Sequence, residues 1–330
     1  MIYRYLFLFI FVVFTNSQLY AKTFDFKRII KDKFSKIINN TDTNESSNTK
    51  PEYTYKINSN NAEIYAVYNN SEFLDDDNIN YKGIQGFTSD DKYFYVAILN
   101  EKDKNYIKQE TKIIKIDIKT KKVVKQKHIG RMGHSSSLTY NPLNQRIYCC
   151  PASYEMPFFY CLDTDLNIID KFYLKDKDNN IIKSIKRINT LAYDKTRNLY
   201  FTKVDKSNEY LFFFDSDFKF NQRISCSKNI LKENTLLQAI DCDDRYVYVL
   251  SFVKNSVPLI NNIRIFNLKN GKYIDDLILS DELAPNNEVI ELEQITFAND
   301  ELYALANIIR KNQFCIFKLN CLNNLKKANK

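Results

Sequence analysis

The chain has little histidine and glycine and no tryptophan, and several chemical signatures are missing with them. Its 330 residues contain two histidines and five glycines. No CxxC pair and no cysteine–histidine spacing typical of a zinc site occurs. The GxSxG elbow that would support a Ser/His/Asp triad and the DxDxDG pattern of a calcium loop are also absent. The sequence therefore predicts no metal site and no cofactor.

Charge is present in quantity but is not concentrated. The chain carries 48 lysines and arginines and 40 acidic residues, a formal net charge of +8. The lysines are spread along the whole chain and interleaved with acids, whereas a nucleic-acid footprint needs a concentrated basic face. We expect no nucleic-acid partner. The 44% hydrophobic content is enough for a well-buried core.

The first 21 residues have the three regions of a secretory signal. One arginine precedes the apolar run Leu6–Phe14, and the small residue Ala21 follows a polar stretch. The run is too short to predict a transmembrane helix. The pattern predicts export to the periplasm or the extracellular space, with two alternatives left open: cleavage after Ala21, or retention as a membrane anchor.

Residues 22–52 are predicted to be a basic amphipathic helix followed by a polar linker. Phe24–Ile38 places apolar side chains on one helical face with basic residues around it. Three alternatives are left open for this segment: contact with an anionic membrane surface, packing on the folded domain, or partial disorder. The domain is predicted over 53–325 and a short tail over 326–330.

The strongest pattern is a repeat of about 50 residues. Five copies begin at Gln85, Ser136, Asn189, Gln238 and Glu293. Counted from Gly86, Leu138, Leu191, Ile240 and Ile295, the steps are 52, 53, 49 and 55 residues. Each copy holds short runs rich in β-branched and aromatic residues, without helical periodicity. The repeat predicts an all-β propeller with blades of four antiparallel strands.

The last copy lacks one strand before the chain ends. The strand-like segment Ala62–Tyr68 precedes the first copy and is predicted to supply the missing strand by pairing with the C-terminal strands. Such pairing closes the ring and removes an open sheet edge. Four complete units and one shared unit make five blades.

The repeats resemble secreted β-propellers of the YVTN and NHL-like kind. The matching pieces are Tyr140–Cys149, Asp194–Phe201 and Ile113–Val124, and the resemblance covers about residues 60–322. The Trp-Asp pairs of WD40 blades are missing. These motifs are mostly turn and strand chemistry, so the resemblance implies a fold and not an activity.

The residues that open the innermost strands are the predicted binding site. They are Gln85, Ser136, Asn189, Gln238 and Glu293, with Ser137 and Gln294 as neighbouring alternatives. Their hydrogen-bonding side chains suit a protein, peptide or glycan partner at one mouth of the channel. The alternative is that they cap strand ends and bond neighbouring blades. We predict a monomeric, exported binding protein without catalysis.

His134 follows a glycine-containing segment and is predicted to reach the same mouth, which adds it to the binding site. If the protein is an enzyme, a hydrolase or lyase, His134 would be the general base, with Glu293 as its carboxylate partner. Turn chemistry explains most of the acidic runs at residues 75–77, 90–91, 241–244 and 275–276. Among seven cysteines, a bridge from Cys149 or Cys150 to Cys161 is left open for an oxidising compartment.

Overall fold

The structure, a computed structural model, describes most of the repeat region. The described residues are 62–73, 81–100, 108–151, 158–185, 187–204, 207–256, 259–279, 289–308 and 311–320. The chain divides after Thr54 into two units, and every described residue belongs to the second. The predicted signal, basic helix, linker and tail lie outside the described residues. Within the described residues, no helix is both long and apolar enough to span a membrane.

The described chain forms five four-stranded antiparallel sheets arranged as the blades of a ring. β1 (Ala62–Asn69) precedes a short 3-10 turn, Asn70–Phe73. Blade 1 is β2 (Tyr81–Ser89), β3 (Tyr93–Asn100), β4 (Glu110–Asp117) and β5 (Val123–Arg131). Blade 2 is β6 (Ser137–Asn141), β7 (Arg146–Cys150), β8 (Phe158–Asp163) and β9 (Ile168–Tyr173). Blade 3 is β10 (Ala192–Asp194), β11 (Leu199–Thr202), β12 (Tyr210–Phe214) and β13 (Phe220–Ser225). Blade 4 is β14 (Thr235–Cys242), β15 (Tyr246–Val253), β16 (Asn261–Asn267) and β17 (Tyr273–Ile278). Blade 5 is β18 (Ile290–Ala298), β19 (Glu301–Ile308), β20 (Gln313–Leu319) and β1.

The N-terminal strand closes the ring, as predicted. β1 runs antiparallel to β20, with Ala62 opposite Leu319 and Asn69 opposite Gln313. Tyr68 stacks on Phe314 with ring centroids 5.0 Å apart, so the closing strand is also held by aromatic packing. The five-bladed, all-β prediction is confirmed.

The hydrophobic core lies between blades, in five clusters that each join two neighbours. One cluster, for example, packs Phe201 and Phe213 of blade 3 against Val247 and Phe266 of blade 4. The second strand of each blade is buried on both faces, as in β15, where Tyr246–Ser251 is buried throughout. A blade therefore buries its faces only when both neighbours are present.

The innermost strands differ in length from the predicted ones. In blade 1 the sequence predicts a strand over Gly86–Thr88, but β2 runs from Tyr81 to Ser89. In blade 3 the predicted strand begins at Ile188, but β10 holds only Ala192–Asp194. β2 contains two irregularities of register, and these interrupt the alternation by which a strand is recognised in sequence.

The proposed cysteine bridge does not form, because the strand register separates the sulfur atoms. All six described cysteines are free. Tyr148 lies opposite Cys161 and Cys149 lies opposite Tyr160, so Cys149 and Cys161 point to opposite faces of the sheet. Cys150 shares the face of Cys161 but is its diagonal neighbour, at a Cα distance of about 7–8 Å that a disulfide does not span.

The ring closure can be tested with an engineered cross-link. Glu63 lies opposite Lys318 across β1 and β20. Replacing both with cysteine should give a disulfide that raises the free energy of unfolding by roughly 2–4 kcal/mol, because it closes a very long loop in the unfolded chain. The measurement is chemical denaturation of the oxidised and reduced forms of this variant. Glu63→Ser with Lys318→Ser is the control, and failure to cross-link under oxidising conditions would contradict the observed closure.

Candidate functional site

The five innermost strands surround the central channel and run in the same direction. Their repeat-related residues bond to each other: the Tyr140 N–H donates to Thr88 Oγ1 (3.0 Å), and Cys242 Sγ donates to the Tyr193 carbonyl (3.5 Å). The channel therefore has two chemically different ends. We call the end where these strands begin the start end, and the end where each strand turns into the second strand of its blade the turn end.

At the start end, three predicted residues occupy β-bulges. Gln238 and Glu293 are each the extra residue where a strand register shifts, and Gln85 with Gly86 occupies the corresponding shift in β2. A bulge re-aims the side chain it carries. Position 86 accommodates only glycine without a shift of its neighbours, because a Cβ there would lie 2.7 Å from Cγ of Leu138 in blade 2.

Glu293 is the centre of a hydrogen-bond network at the start end. Its carboxylate accepts from Nε2 of Gln85 (3.3 Å), Nε2 of Gln238 (3.3 Å) and Nδ2 of Asn307 (2.7 Å). Gln238 Nε2 also donates to Glu291 Oε1 (3.1 Å). The side chains come from blades 1, 4 and 5. Glu293 is buried, so these amide donors offset the cost of placing a carboxylate out of water.

Two other predicted residues also join neighbouring blades. Ser136 Oγ donates to the backbone carbonyl of Asn189 at 3.0 Å, linking blades 2 and 3. The alternative interpretation, that the strand-opening residues bond neighbouring blades, is therefore confirmed for these contacts. A ligand-binding role for the same residues stays a prediction.

His134 is half-buried at the start of blade 2 and is poorly suited to act as a base. Its Nδ1 lies 2.8 Å from Oε1 of Gln109, and its backbone N–H donates to the Pro151 carbonyl. Burial, reinforced by the nearby Arg187 guanidinium, lowers the pKa of His134 to about 4. The imidazole is therefore neutral at pH 7 and only a weak proton acceptor.

The turn end holds a cavity of about 850 Å³, which none of the predicted primary site residues lines. Its walls come from all five blades. They comprise Thr88–Asp91 of blade 1; Leu138–Tyr140 and Pro142 of blade 2; Leu191, Tyr193 and Lys195 of blade 3; Ile240–Arg245 of blade 4; and Gln294, Thr296, Phe297, Asn299 and Asp300 of blade 5. This volume is in the range of small-ligand and side-chain pockets, about 300–1,000 Å³.

Gln294 lies where the cavity meets the channel. Its Nε2 is 3.5 Å from Oγ of Ser137 in blade 2, which is not adjacent to blade 5 in the ring. Side chains from non-adjacent blades therefore meet here and narrow the channel. Gln294 is only 1% exposed, and its Oε1 has no hydrogen-bond partner among the described residues. Buried amide oxygens normally accept a hydrogen bond, and this one lacks its donor.

Acidic residues dominate the rim of the cavity. Two of them are turn caps, as the sequence predicts: Asp90 accepts the Tyr93 N–H (2.7 Å) and the Tyr95 hydroxyl, and Asp243 repeats this arrangement with Tyr246 and Tyr248. The complete set of six lining carboxylates is Asp90, Asp91, Asp241, Asp243, Asp244 and Asp300, against the two cationic side chains Lys195 and Arg245. The cavity is therefore acidic within a chain of positive net charge.

Asp241 is the most perturbed of these acids. Burial raises its pKa to about 7, although N–H donors from Cys242 and Phe297 and the Thr296 side chain act in the opposite direction. The Phe297 N–H donates to Oδ2 at 3.3 Å, so Asp241 also links blades 4 and 5. At neutral pH this carboxyl is partly protonated.

The sequence predicts turns for most of the acidic runs, but it does not bring the runs together. Residues 75–77 lie outside the described residues, and Asp275 and Asp276 lie in strand β17, where Asp276 pairs with Arg264 (2.9 Å). Asp90–Asp91, Asp241–Asp244 and Asp300 are separated by long stretches of chain and meet only because the ring closes. The repeat offers a signal, since these runs stand at comparable places in copies one, four and five. Asn307 and Gln109, which complete the contacts of Glu293 and His134, carry no signal of this kind.

The Glu293 network predicts a large stability effect. Glu293→Ala should lower the free energy of unfolding by about 2–4 kcal/mol, because buried amide donors lose their acceptor. Glu291→Ala, which removes the half-buried carboxylate nearby, should cost less than about 1 kcal/mol. Urea denaturation measures both. Equal effects of the two substitutions would contradict the central role of Glu293.

The raised pKa of Asp241 predicts a pH dependence of stability. An unfolded aspartate ionises near pH 4, whereas folded Asp241 holds its proton up to about pH 7. The free energy of unfolding of the wild type, relative to Asp241→Asn, should therefore fall as pH rises from 4 to 7 and then level off. Denaturation of both proteins across this range measures the difference. A difference that is constant with pH would contradict the raised pKa.

Comparison with protein-family models finds no match, and comparison with curated proteins finds none. Among solved structures, a DUF4221 family member from Bacteroides vulgatus is 12% identical, with 79% of this chain and 98% of that chain covered and a TM-score of 0.44. The WD40 repeats of RRP9 are 8% identical, with 79% of this chain and 98% of that chain covered and a TM-score of 0.43. Kuenenia stuttgartiensis hydrazine synthase gives 10% identity and a TM-score of 0.40; the match covers 71% of this chain and 57% of that one. At these values the likenesses carry no information on function, and the propeller assignment rests on the strand order of the chain itself.

Proposed function

We propose that this protein is a non-enzymatic binding module that holds part of a protein or peptide partner in the turn-end cavity. The observation that carries the proposal is the cavity itself, which is built by residues from every blade and is lined by Gln294, whose buried amide oxygen lacks a donor. Polar groups placed at the base of a concave site fix the orientation of a ligand. Export, predicted from the N-terminal segment, is part of this proposal.

Binding is favoured over catalysis by the state of the two candidate catalytic residues. His134 has a pKa of about 4 and shares a short contact with Gln109. Glu293 accepts hydrogen bonds from three amides, which hold its carboxylate in place as a structural acceptor. General acid–base catalysis at neutral pH works best with groups whose pKa lies near 7.

The turn end is favoured over the start end as the binding site because of the way polar side chains are used at each end. At the start end, amides and carboxylates bond across the blades and hold the ring together. At the turn end, Asp244 and Asp300 are exposed on the rim and Gln294 offers a free oxygen. A ligand at the turn end gains these groups without displacing contacts between blades.

The proposal is tested by selecting peptides from an unbiased display library on the purified protein and remeasuring the selected peptides on three variants. Lys195→Trp with Asp244→Trp narrows the turn end, Gln85→Ala with Asn189→Ala alters the start end, and Asp178→Trp is an exposed control outside the cavity. We expect the first variant to weaken binding by about tenfold or more, and the control by less than about twofold. Selected peptides that lose affinity only in the start-end variant would overturn the proposed site. A library that yields no peptide sensitive to the turn-end variant would overturn the proposed function.

A further inference from the structure

We propose that the turn-end cavity recognises a cationic group on an aliphatic stem, such as the lysine or arginine side chain of a partner peptide. This inference rests on the proposed function and specifies the chemistry of its ligand. Four features of the cavity lead to it: the charge of the rim, the acceptors in its interior, the apolar and aromatic walls, and the lack of a metal-binding arrangement.

The rim charge is opposite to that of the whole chain. Six aspartates and two cationic side chains line the cavity, and one of those cations, Arg245, already lies 3.7 Å from Asp244. The chain as a whole carries a formal net charge of +8. A cavity focuses the field of the charges that line it, so a positive group is attracted here even though the overall charge would repel it.

The cavity interior offers acceptors in addition to charge. Gln294 is 1% exposed, and its Oε1 has no partner among the described residues. A primary ammonium or a guanidinium carries only donors, so it would supply the hydrogen bond that this oxygen lacks. Gln294 is independent of the acidic rim, because it belongs to the innermost strand β18 and not to a turn.

The walls suit the stem that carries such a group. Leu138, Leu191 and Ile240 line the cavity and are buried, and Tyr140, Tyr193 and Phe297 add aromatic rings. A long cationic side chain buries its methylene groups against apolar surface while its charged end remains with polar groups. Aromatic rings near a cation add an attraction through their negative faces.

An organic cation fits this cavity better than a metal ion. In the part of the chain that the structure describes, no three His, Cys, Asp or Glu side chains come together in a group able to hold a metal. The carboxylate oxygens of Asp90 and Asp243 already accept hydrogen bonds from turn N–H groups and tyrosine hydroxyls. The acids therefore act through their charge, with donors of the ligand meeting Gln294 and the exposed rim carboxylates of Asp244 and Asp300.

The test compares three labelled peptides that share a neutral Gly-Ser framework and differ at two positions. These positions carry lysine, norleucine, which keeps the aliphatic stem without the charge, or glutamate. We expect the lysine peptide to bind about tenfold or more tightly than the norleucine peptide at low ionic strength, with the advantage decreasing as salt is raised. The glutamate peptide should not bind. Fluorescence anisotropy measures all three.

Two variants locate the binding, and the first has a matched control. Asp244→Asn with Asp300→Asn neutralises the exposed rim, and Asp178→Asn with Glu233→Gln makes the same change in net charge at exposed positions outside the cavity. The rim variant should weaken lysine-peptide binding by about tenfold, and the control by less than about twofold. Gln294→Leu should weaken binding while changing the free energy of unfolding by less than about 1 kcal/mol, because the substitution removes an unpartnered oxygen together with one long contact from Nε2 to Ser137 (3.5 Å).

Equal binding of the lysine and norleucine peptides would overturn the inference, as would equal losses in the rim and control variants. These outcomes are distinguishable from failure of the proposed function. If library-selected peptides bind at the turn end but carry no cationic residue, the binding module stands and the cationic ligand is wrong. If no selected peptide depends on the turn end, both are wrong.

Discussion

The structure depends on hydrogen bonds between innermost strands of neighbouring blades, each made at a spacing of one repeat. Tyr140 bonds Thr88 across 52 residues, Ser136 bonds the Asn189 carbonyl across 53, and Gln238 bonds Glu291 across 53. Buried polar groups need partners, and each blade supplies the partners of the next. Because the core clusters are also shared between blades, no blade is complete alone.

The two ends of the channel differ in which polar groups the ring brings together. Bulges at Gln238 and Glu293 turn side chains toward each other at the start end, where amides and carboxylates satisfy one another. At the turn end the chain reverses through tight turns whose caps are aspartates, so negative charges from several blades are brought to one rim. Hydrogen bonds at both ends therefore hold the ring together, including those from Phe297 to Asp241 and from Asn299 to Asp91 at the turn end. The turn end also carries exposed carboxylates on its rim.

Much of the fold was predictable because it follows from local patterns. The repeat spacing predicted five blades. Because the last copy lacks one strand, the sequence also predicted that β1 completes that blade, and β1 pairs with β20. The candidate site was predictable only in part. Ser136, Gln238 and Glu293 were singled out by position, but the sequence does not show toward which blade a bulge turns its side chain, so the network around Glu293 could not be foreseen. The cavity was missed because Asp91, Asp241 and Asp300 lie far apart in the chain, and contacts such as the Asn299 N–H to Asp91 Oδ1 bond (2.7 Å) form only between blades of the closed ring.

The sequence by itself determined the class of fold, the number of blades and the strand that closes the ring, because period-two alternation and a repeat of about 50 residues are properties of neighbouring residues. The tertiary structure alone decided which polar side chains at each end of the channel bond across blades and which line the cavity. It also decided that Gln294 would lie buried beside an acidic rim. These features arise from residues far apart in the chain, and their combined charge and unused hydrogen-bonding capacity exist only once the ring has closed.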